Sequence, residues 1–557
     1  MYRSTDFPGK TCNDRLHNPV FSHRFGWPAN EKQEFRQRSV KKPWGLQQTH
    51  LQAVQALNPD SSARISSHSP PRTRRKHRLT VEVPPMFAVV RPECPAFPTR
   101  TFAACPDGRV ICDRWIVKNL YNIAICWGRA ERMQRIFISG IGVVSCLGND
   151  RRTFWKNIIS SQCGISTLTE HDTKDLEVNI GGEVRNLNDA RISVNDSVSA
   201  RKMDRASQFA VHASYEALED AGLPVKDIGE RAAVILGAGL AGLETYELQH
   251  EKLLTKGPSR VSPFTIPMLM PNAPPGNVSL AFGVQGTAYT TSSACSSSGH
   301  AMIDAFEYLR RGDADFVITG GTEASLTRLG IASFVNMRAM NKTMNDRPQQ
   351  SMRPFDADRG GFIMAEGASM LIFETEEHLR KRGGKAWAEV LSGRSTSDSF
   401  HLTQPDPQGR QAVKAIQLAL QKAGLNPAEI ANNTYVSAHG TSTHYNDAME
   451  TVALKSVFGA DASHLQISSI KSMLGHMIGA ACAVEMSACA LALTSGILPP
   501  TINYDTPDPE CDLNYIPNKA IDKACRYAVN NSFGFGGHNV SLVIGRVDDP
   551  ELRRTDL

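Results

Sequence analysis

The sequence lacks the features that would make its cysteines structural. Twelve cysteines in 557 residues are too few for a disulfide scaffold. The seven after residue 134 (Cys146, Cys163, Cys295, Cys482, Cys489, Cys511 and Cys525) form no CxxC pair and no zinc-like grouping. A reducing, cytoplasm-type compartment is therefore expected. No charged stretch followed by an apolar one opens the chain, which argues against a secretory signal. Long apolar runs are absent except for residues 478–498 (IGAACAVEMSACALALTSGIL). That run carries Glu485 and many small residues, so a tightly packed buried helix is expected there and no membrane span. No repeat is visible by eye. A hydrophobic content of 41% and a charged content of 21% exclude collagenous, mucin-like and wholly disordered chains.

The net charge of +5 is the sum of two unlike parts. Residues 1–134 hold 22 Lys and Arg against 10 Asp and Glu, with 13 of the 31 prolines. The remainder holds 39 against 46 and is acidic. The first part shows neither helical nor strand periodicity. Its basic run, residues 72–78 (RTRRKHR), reads as a solvated tail, with nucleic-acid binding as the competing reading. Residues 1–132 are expected to be a basic, proline-rich leader that is disordered or outside the working protein. Should they prove to be a transit peptide, the compartment would be a plastid or mitochondrion, although their acids count against it. Residues 133–546 are expected to form the working unit, with 547–557 as a tail.

Within that unit, strands alternate with helices. Residues 135–148, 231–239, 315–320, 433–438 and 540–545 read as strands. Residues 203–222 (with Gly222 as a C-cap), 299–311 and 411–424 read as helices. Alternation of this kind predicts a layered α/β fold.

Four glycine-punctuated patches carry chemistry. In residues 291–300 (TSSACSSSGH), Cys295 sits among small residues just before a predicted helix, whose N-terminus would favour a thiolate and make it a nucleophile. Residues 436–447 (VSAHGTSTHYND) place His439 just past a strand. Residues 469–479 (SIKSMLGHMIG) hold Lys471 and His476. Residues 530–539 (NNSFGFGGHN) set glycines around Phe533 and Phe535, a loop whose N–H groups can approach an oxyanion. No metal is expected, because no HxxxH spacing occurs and acids are sparse nearby.

In this order the four patches resemble those of the β-ketoacyl-acyl-carrier-protein synthases, the condensing enzymes of type II fatty-acid synthesis. Further matching stretches are residues 320–323 (GGTE), 353–367 (RPFDADRGGFIMAEG) and 499–503 (PPTIN). The resemblance implies a thiolase-like fold in α-β-α-β-α layers, two duplicated halves over residues 133–384 (with the nucleophilic cysteine) and 385–546 (with the catalytic histidines), and a homodimer. It implies no bound cofactor, with substrates carried on the phosphopantetheine of an acyl carrier protein. It assigns Cys295 to hold the acyl chain, and His439 and His476 to decarboxylate the malonyl thioester. Lys471 supports them, with Glu450 as an acidic partner. The N–H groups of Cys295 and Phe535 would form the oxyanion hole, with Phe535 as gate. Thr441 and Thr443 would bind pantetheine. Leu240, in residues 237–242 (GAGLAG), falls at the acyl pocket and favours the synthase II type. Arg201 and Lys202 match a carrier-docking pair; Arg338, Lys342 and Arg347 are further candidates. Ser437, His444 and His538 depart from the common pattern, and the Cys-Ser-Ser-Ser string resembles polyketide ketosynthases. A ketosynthase of a polyketide or unusual lipid is therefore the alternative.

Overall fold

The computed structural model describes residues 134–170, 172–193 and 199–555. The leader expected over 1–132 lies outside the described residues. Ten strands form one mixed sheet: β1 (Ile136–Val144), β2 (Ala232–Gly237), β3 (Ala288–Thr291), β4 (Phe316–Glu323), β5 (Gly367–Thr375), β6 (Ala388–Ser397), β7 (Thr434–Ser437), β8 (Gln466–Ser468), β9 (Tyr527–Gly534) and β10 (His538–Gly545). Their spatial order is β8-β7-β9-β10-β6-β1-β5-β4-β2-β3.

That order contains a repeat. In the first half, β3, β2 and β4 run parallel, and β5 and then β1 continue antiparallel. In the second half, β8, β7 and β9 run parallel, and β10 and then β6 continue antiparallel. The two half-sheets meet at a short β1–β6 seam of three residue pairs, Ile136 to Ile138 against Val390 to Ala388. The sequence showed no repeat because what recurs is strand order and direction, which many different side chains can satisfy.

The principal helices are α1 (Arg205–Ala221), α2 (Ser297–Arg310), α3 (Arg410–Lys422), α4 (His444–Phe458) and α5 (Ala481–Ser495). Helix α1 packs on β1 and β5, and α3 packs on β6 and β10. Helices α2 and α5 pack on each other and on strands of both half-sheets, forming the central layer. The layers are therefore α-β-α-β-α. Because it is covered on both sides, β4 is buried at all eight positions, which explains its unbroken apolar start. The apolar run at 478–498 becomes α5, buried at every position from Ala481 to Leu493.

Local chemistry explains the element ends. Asp204 caps α1 by accepting from the Ala206 N–H, and Gly222 ends it in the left-handed region at φ 69°. Gly142 lets α1 press against β1: a Cβ there would sit 1.9 Å from the Ala213 carbonyl oxygen.

Candidate active site

The carboxyl ends of the parallel strands converge, the usual place for a site in such sheets. Cys295 follows β3 and immediately precedes α2. His439 follows β7, Lys471 and His476 follow β8, and Phe533 to Phe535 lie at the end of β9. All of these except Lys471 line a cavity of about 460 Å³. Cys295, His439 and His476 each bring one sulfur or ring nitrogen to within 4.8 Å of the others.

The His476 Nε2 lies 3.0 Å from the Cys295 Sγ. Lys471 Nζ lies 3.4 Å from His439 Nδ1 and donates to the His439 carbonyl oxygen at 2.6 Å. Lysine can only donate, so Nδ1 of His439 is the acceptor and its hydrogen resides on Nε2. The Nδ1 of His476 is buried without a hydrogen-bond partner among the described residues. An orphan acceptor costs less than an orphan donor, so His476 also carries hydrogen on Nε2, toward the sulfur. Both rings are neutral: burial first, and then the Lys471 charge, hold their pKa values well below the usual histidine range.

Burial also decides the state of the thiol. The expectation that the helix N-terminus leaves Cys295 as a thiolate is corrected. Removal from water pushes the thiol up to about 11, against opposing pulls from Lys471 and from the N–H groups of Phe535 and Cys295. Those two N–H groups nevertheless point at the sulfur, where an oxyanion would form. Gly534 makes room for them, since a Cβ there would sit 3.2 Å from the Cys295 nitrogen.

The acidic partner is also corrected. Glu450 accepts from the His439 and Gly440 N–H groups at 2.9 Å each, so it shapes the loop and is not the ion partner of Lys471. The ion partner of Lys471 is Glu485, whose carboxyl is pushed up to about 7 by burial. Sequence reasoning used Glu485 only against a membrane span. A lone acid in a buried apolar helix was the available signal, since such a charge requires a partner.

Phe533 packs edge-on to His439, with ring centroids 5.8 Å apart. Phe535 lies beside Phe334, Phe334 against Phe362, and Phe362 against His476; Phe334 lies in no matched stretch, and Phe362 lies in the 353–367 stretch but was given no role there. Thr441 and Thr443 line the cavity, their hydroxyl oxygens 3.0 Å apart. Leu240 also lines it, with 42% of its surface exposed.

Arg201 and Lys202 are exposed in a turn outside the cavity lining. Arg338 lines the cavity, whereas Lys342 and Arg347 pair with Glu177 and Asp346. Of the departures, His444 is the exposed first residue of α4, and Ser437 is buried at the end of β7. His538 stands edge-on to His300, whose Nδ1 is 2.8 Å from the Ser293 hydroxyl.

The chain is similar to known proteins over most of its length. Residues 133–378 match the family described as beta-ketoacyl synthase, N-terminal domain, and residues 387–505 match its C-terminal domain. The chain is 42% identical over 417 residues to 3-oxoacyl-[acyl-carrier-protein] synthase 2 of Staphylococcus aureus (strain N315), covering 74% of this chain and 99% of that one. Among solved structures, the ishigamide ketosynthase/chain length factor is 32% identical with a TM-score of 0.69, covering 74% of this chain and 99% of that one. A type II polyketide acyl-carrier protein in complex with its ketosynthase bound to the hexaketide is also 32% identical. It has a TM-score of 0.68 and covers 75% of this chain and 100% of that one.

Proposed function

This chain belongs to the beta-ketoacyl synthase family, and we propose from its geometry that it is a 3-oxoacyl-[acyl-carrier-protein] synthase that elongates fatty acids by two carbons. The observation that carries the reading is the meeting of one thiol and two neutral imidazoles over a buried lysine.

The reaction runs in two stages. First, Cys295 attacks the thioester of an acyl carrier. The bond from the acyl carbon to the carrier sulfur breaks, and that sulfur leaves with the proton the Cys295 thiol gives up. The N–H groups of Cys295 and Phe535 hold the intermediate oxyanion. Second, malonyl-carrier enters, and the Nε2–H groups of His439 and His476 donate to its thioester oxygen. The bond to the carboxylate breaks, carbon dioxide departs, and the electron pair passes into the enolate. The enolate carbon attacks the acyl-Cys295 thioester, giving a 3-oxoacyl-carrier and returning the thiolate for protonation. Neutral imidazoles suit this task because they donate without neutralising the enolate prematurely.

No cofactor enters any step; the substrates arrive on the phosphopantetheine of the carrier, and the position of Thr441 and Thr443 on the cavity wall supports their binding that arm. The outer edge of β3 and exposed Leu280, Ile266 and Met270 support a homodimer through this face. The free cysteines among the described residues support a reducing, cytoplasmic setting.

Purified full-length protein should convert malonyl-carrier and acyl-carrier into 3-oxoacyl-carrier, with carbon dioxide released in equal amount. Failure to condense any saturated acyl-carrier would overturn the reading. A preference for a poly-3-oxo chain would instead favour the polyketide alternative, which the 32% identical ketosynthase structures keep in view.

Carrier docking should depend on the exposed Arg201 and Lys202. Reversing both to glutamate is expected to raise KM for acyl-carrier about tenfold and leave kcat within about twofold, as loss of long-range complementarity does. An unchanged KM removes this pair from the docking surface.

A further inference from the structure

We infer that Glu323 is a positioning residue that sets the length of acyl chain the cavity accepts, an inference that rests on the condensing-enzyme reading above. Glu323 ends β4 and is wholly buried. Its carboxylate forms no ion pair with a described residue and collects neutral donors instead. Oε2 accepts from the N–H groups of Gly239 at 2.9 Å and Gly479 at 3.1 Å. Oε1 accepts from Ala241 N–H at 3.2 Å and from the Ser325 hydroxyl at 2.7 Å. The Leu240 N–H lies 3.2 Å and 3.3 Å from the two oxygens. One buried anion thus ties the loop after β2 to the turn that follows His476.

Both tied segments are strained. Ala241 has a φ of 46° and Ile478 a φ of 42°. Positive φ is a true outlier for a β-branched residue such as Ile478, and it persists only where the surroundings over-determine it. The segments also touch without a spacer: a Cβ on Gly479 would sit 2.3 Å from the Gly239 nitrogen. The side chains presented by the two loops, Leu240 and Ile478, both lie on the cavity wall. Their positions follow from the carboxylate.

Glutamine is not equivalent here. It has the same shape, but its NH2 group would face N–H donors on at least one side, leaving buried donors opposed to a donor. The wall formed by Leu240 and Ile478 would then relax. Short chains that stop before this wall would be unaffected, and longer chains would lose their fit.

Alkyl methanethiosulfonates from methyl to dodecyl test this without carrier or condensation. Each transfers its alkylthio group to Cys295 as a mixed disulfide and releases methanesulfinate. Peptide mass at Cys295 gives the rate in wild type and in Glu323→Gln. The methyl reagent should react within about twofold of wild type, and the dodecyl reagent about tenfold more slowly, the loss expected for one or two buried hydrogen bonds. Ser325→Ala, which removes one donor to the same carboxylate, should shift the profile in the same direction by less, and it decides the matter if Glu323→Gln fails to fold. The same loss at every chain length, or an unchanged profile, overturns the inference. Wild-type protein that condenses no acyl-carrier would refute the condensing reading alone, because the labelling profile does not depend on condensation.

Discussion

Replacing Cys295 with alanine is expected to abolish acyl transfer to the protein, lowering condensation by about 10⁴-fold or more, as loss of a covalent nucleophile does. No other described thiol can substitute. Cys482 and Cys489 are buried in the central helix, and none of the remaining cysteines lines the cavity. Intact-protein mass after incubation with acyl-carrier reads the result directly; full acylation of the variant would refute the assignment. The wild-type thiol has its own signature. Because burial pushes it up to about 11, the thiolate fraction grows with pH throughout the range below that value. Iodoacetamide labelling of resting Cys295 should rise about tenfold per pH unit between 7 and 9. A plateau near neutrality would mean that the helix terminus outweighs burial after all.

The second large effect concerns the histidines. Alanine at His439 or at His476 should lower malonyl-carrier decarboxylation by about 10²–10³-fold, the usual cost of deleting one donor to a developing oxyanion. Both variants should still accept an acyl group, but unequally. His439→Ala leaves the thiol's neighbour intact, so acylation should stay within about threefold. His476→Ala removes the ring nitrogen 3.0 Å from Sγ and should acylate about tenfold more slowly. Release of labelled carbon dioxide measures one activity and protein mass the other. Normal decarboxylation by either variant would remove that residue from the proposed mechanism.

Much of this site was legible because the catalytic side chains sit in three short segments that each follow a strand, Lys471 and His476 sharing one, and glycines marked those segments. Cys295, His439, Lys471 and His476 could be chosen from such local signals, and the structure brings their side chains together. What could not be read were energetic balances and pairings set by the three-dimensional arrangement. The helix start beside Cys295 was visible, whereas the desolvation that outweighs it depends on residues far apart in the chain. Glu450 was assigned through the resemblance, but its carboxylate turns to backbone amides. Glu485 meets Lys471 only because α5 lies under the loop. Strands β1, β2, β4, β7 and β10 and helices α1, α2, α3 and α5 were likewise legible from apolar runs and caps, whereas β3, β5, β6, β8, β9 and α4 were not. The duplication was not, because it lies in strand direction.

The β1–β6 seam has a mechanical consequence. The sulfur stands at the head of one central helix, while the imidazole facing it lies in the approach to the other. These helices come from opposite halves, whose sheets share only three residue pairs at the seam. The sulfur–imidazole gap is therefore a gauge of how the halves are set together, held by the mutual grip of α2 and α5. A substitution that loosens that grip, however distant from the cavity, would slow the reaction by widening this spacing while leaving every catalytic group in place.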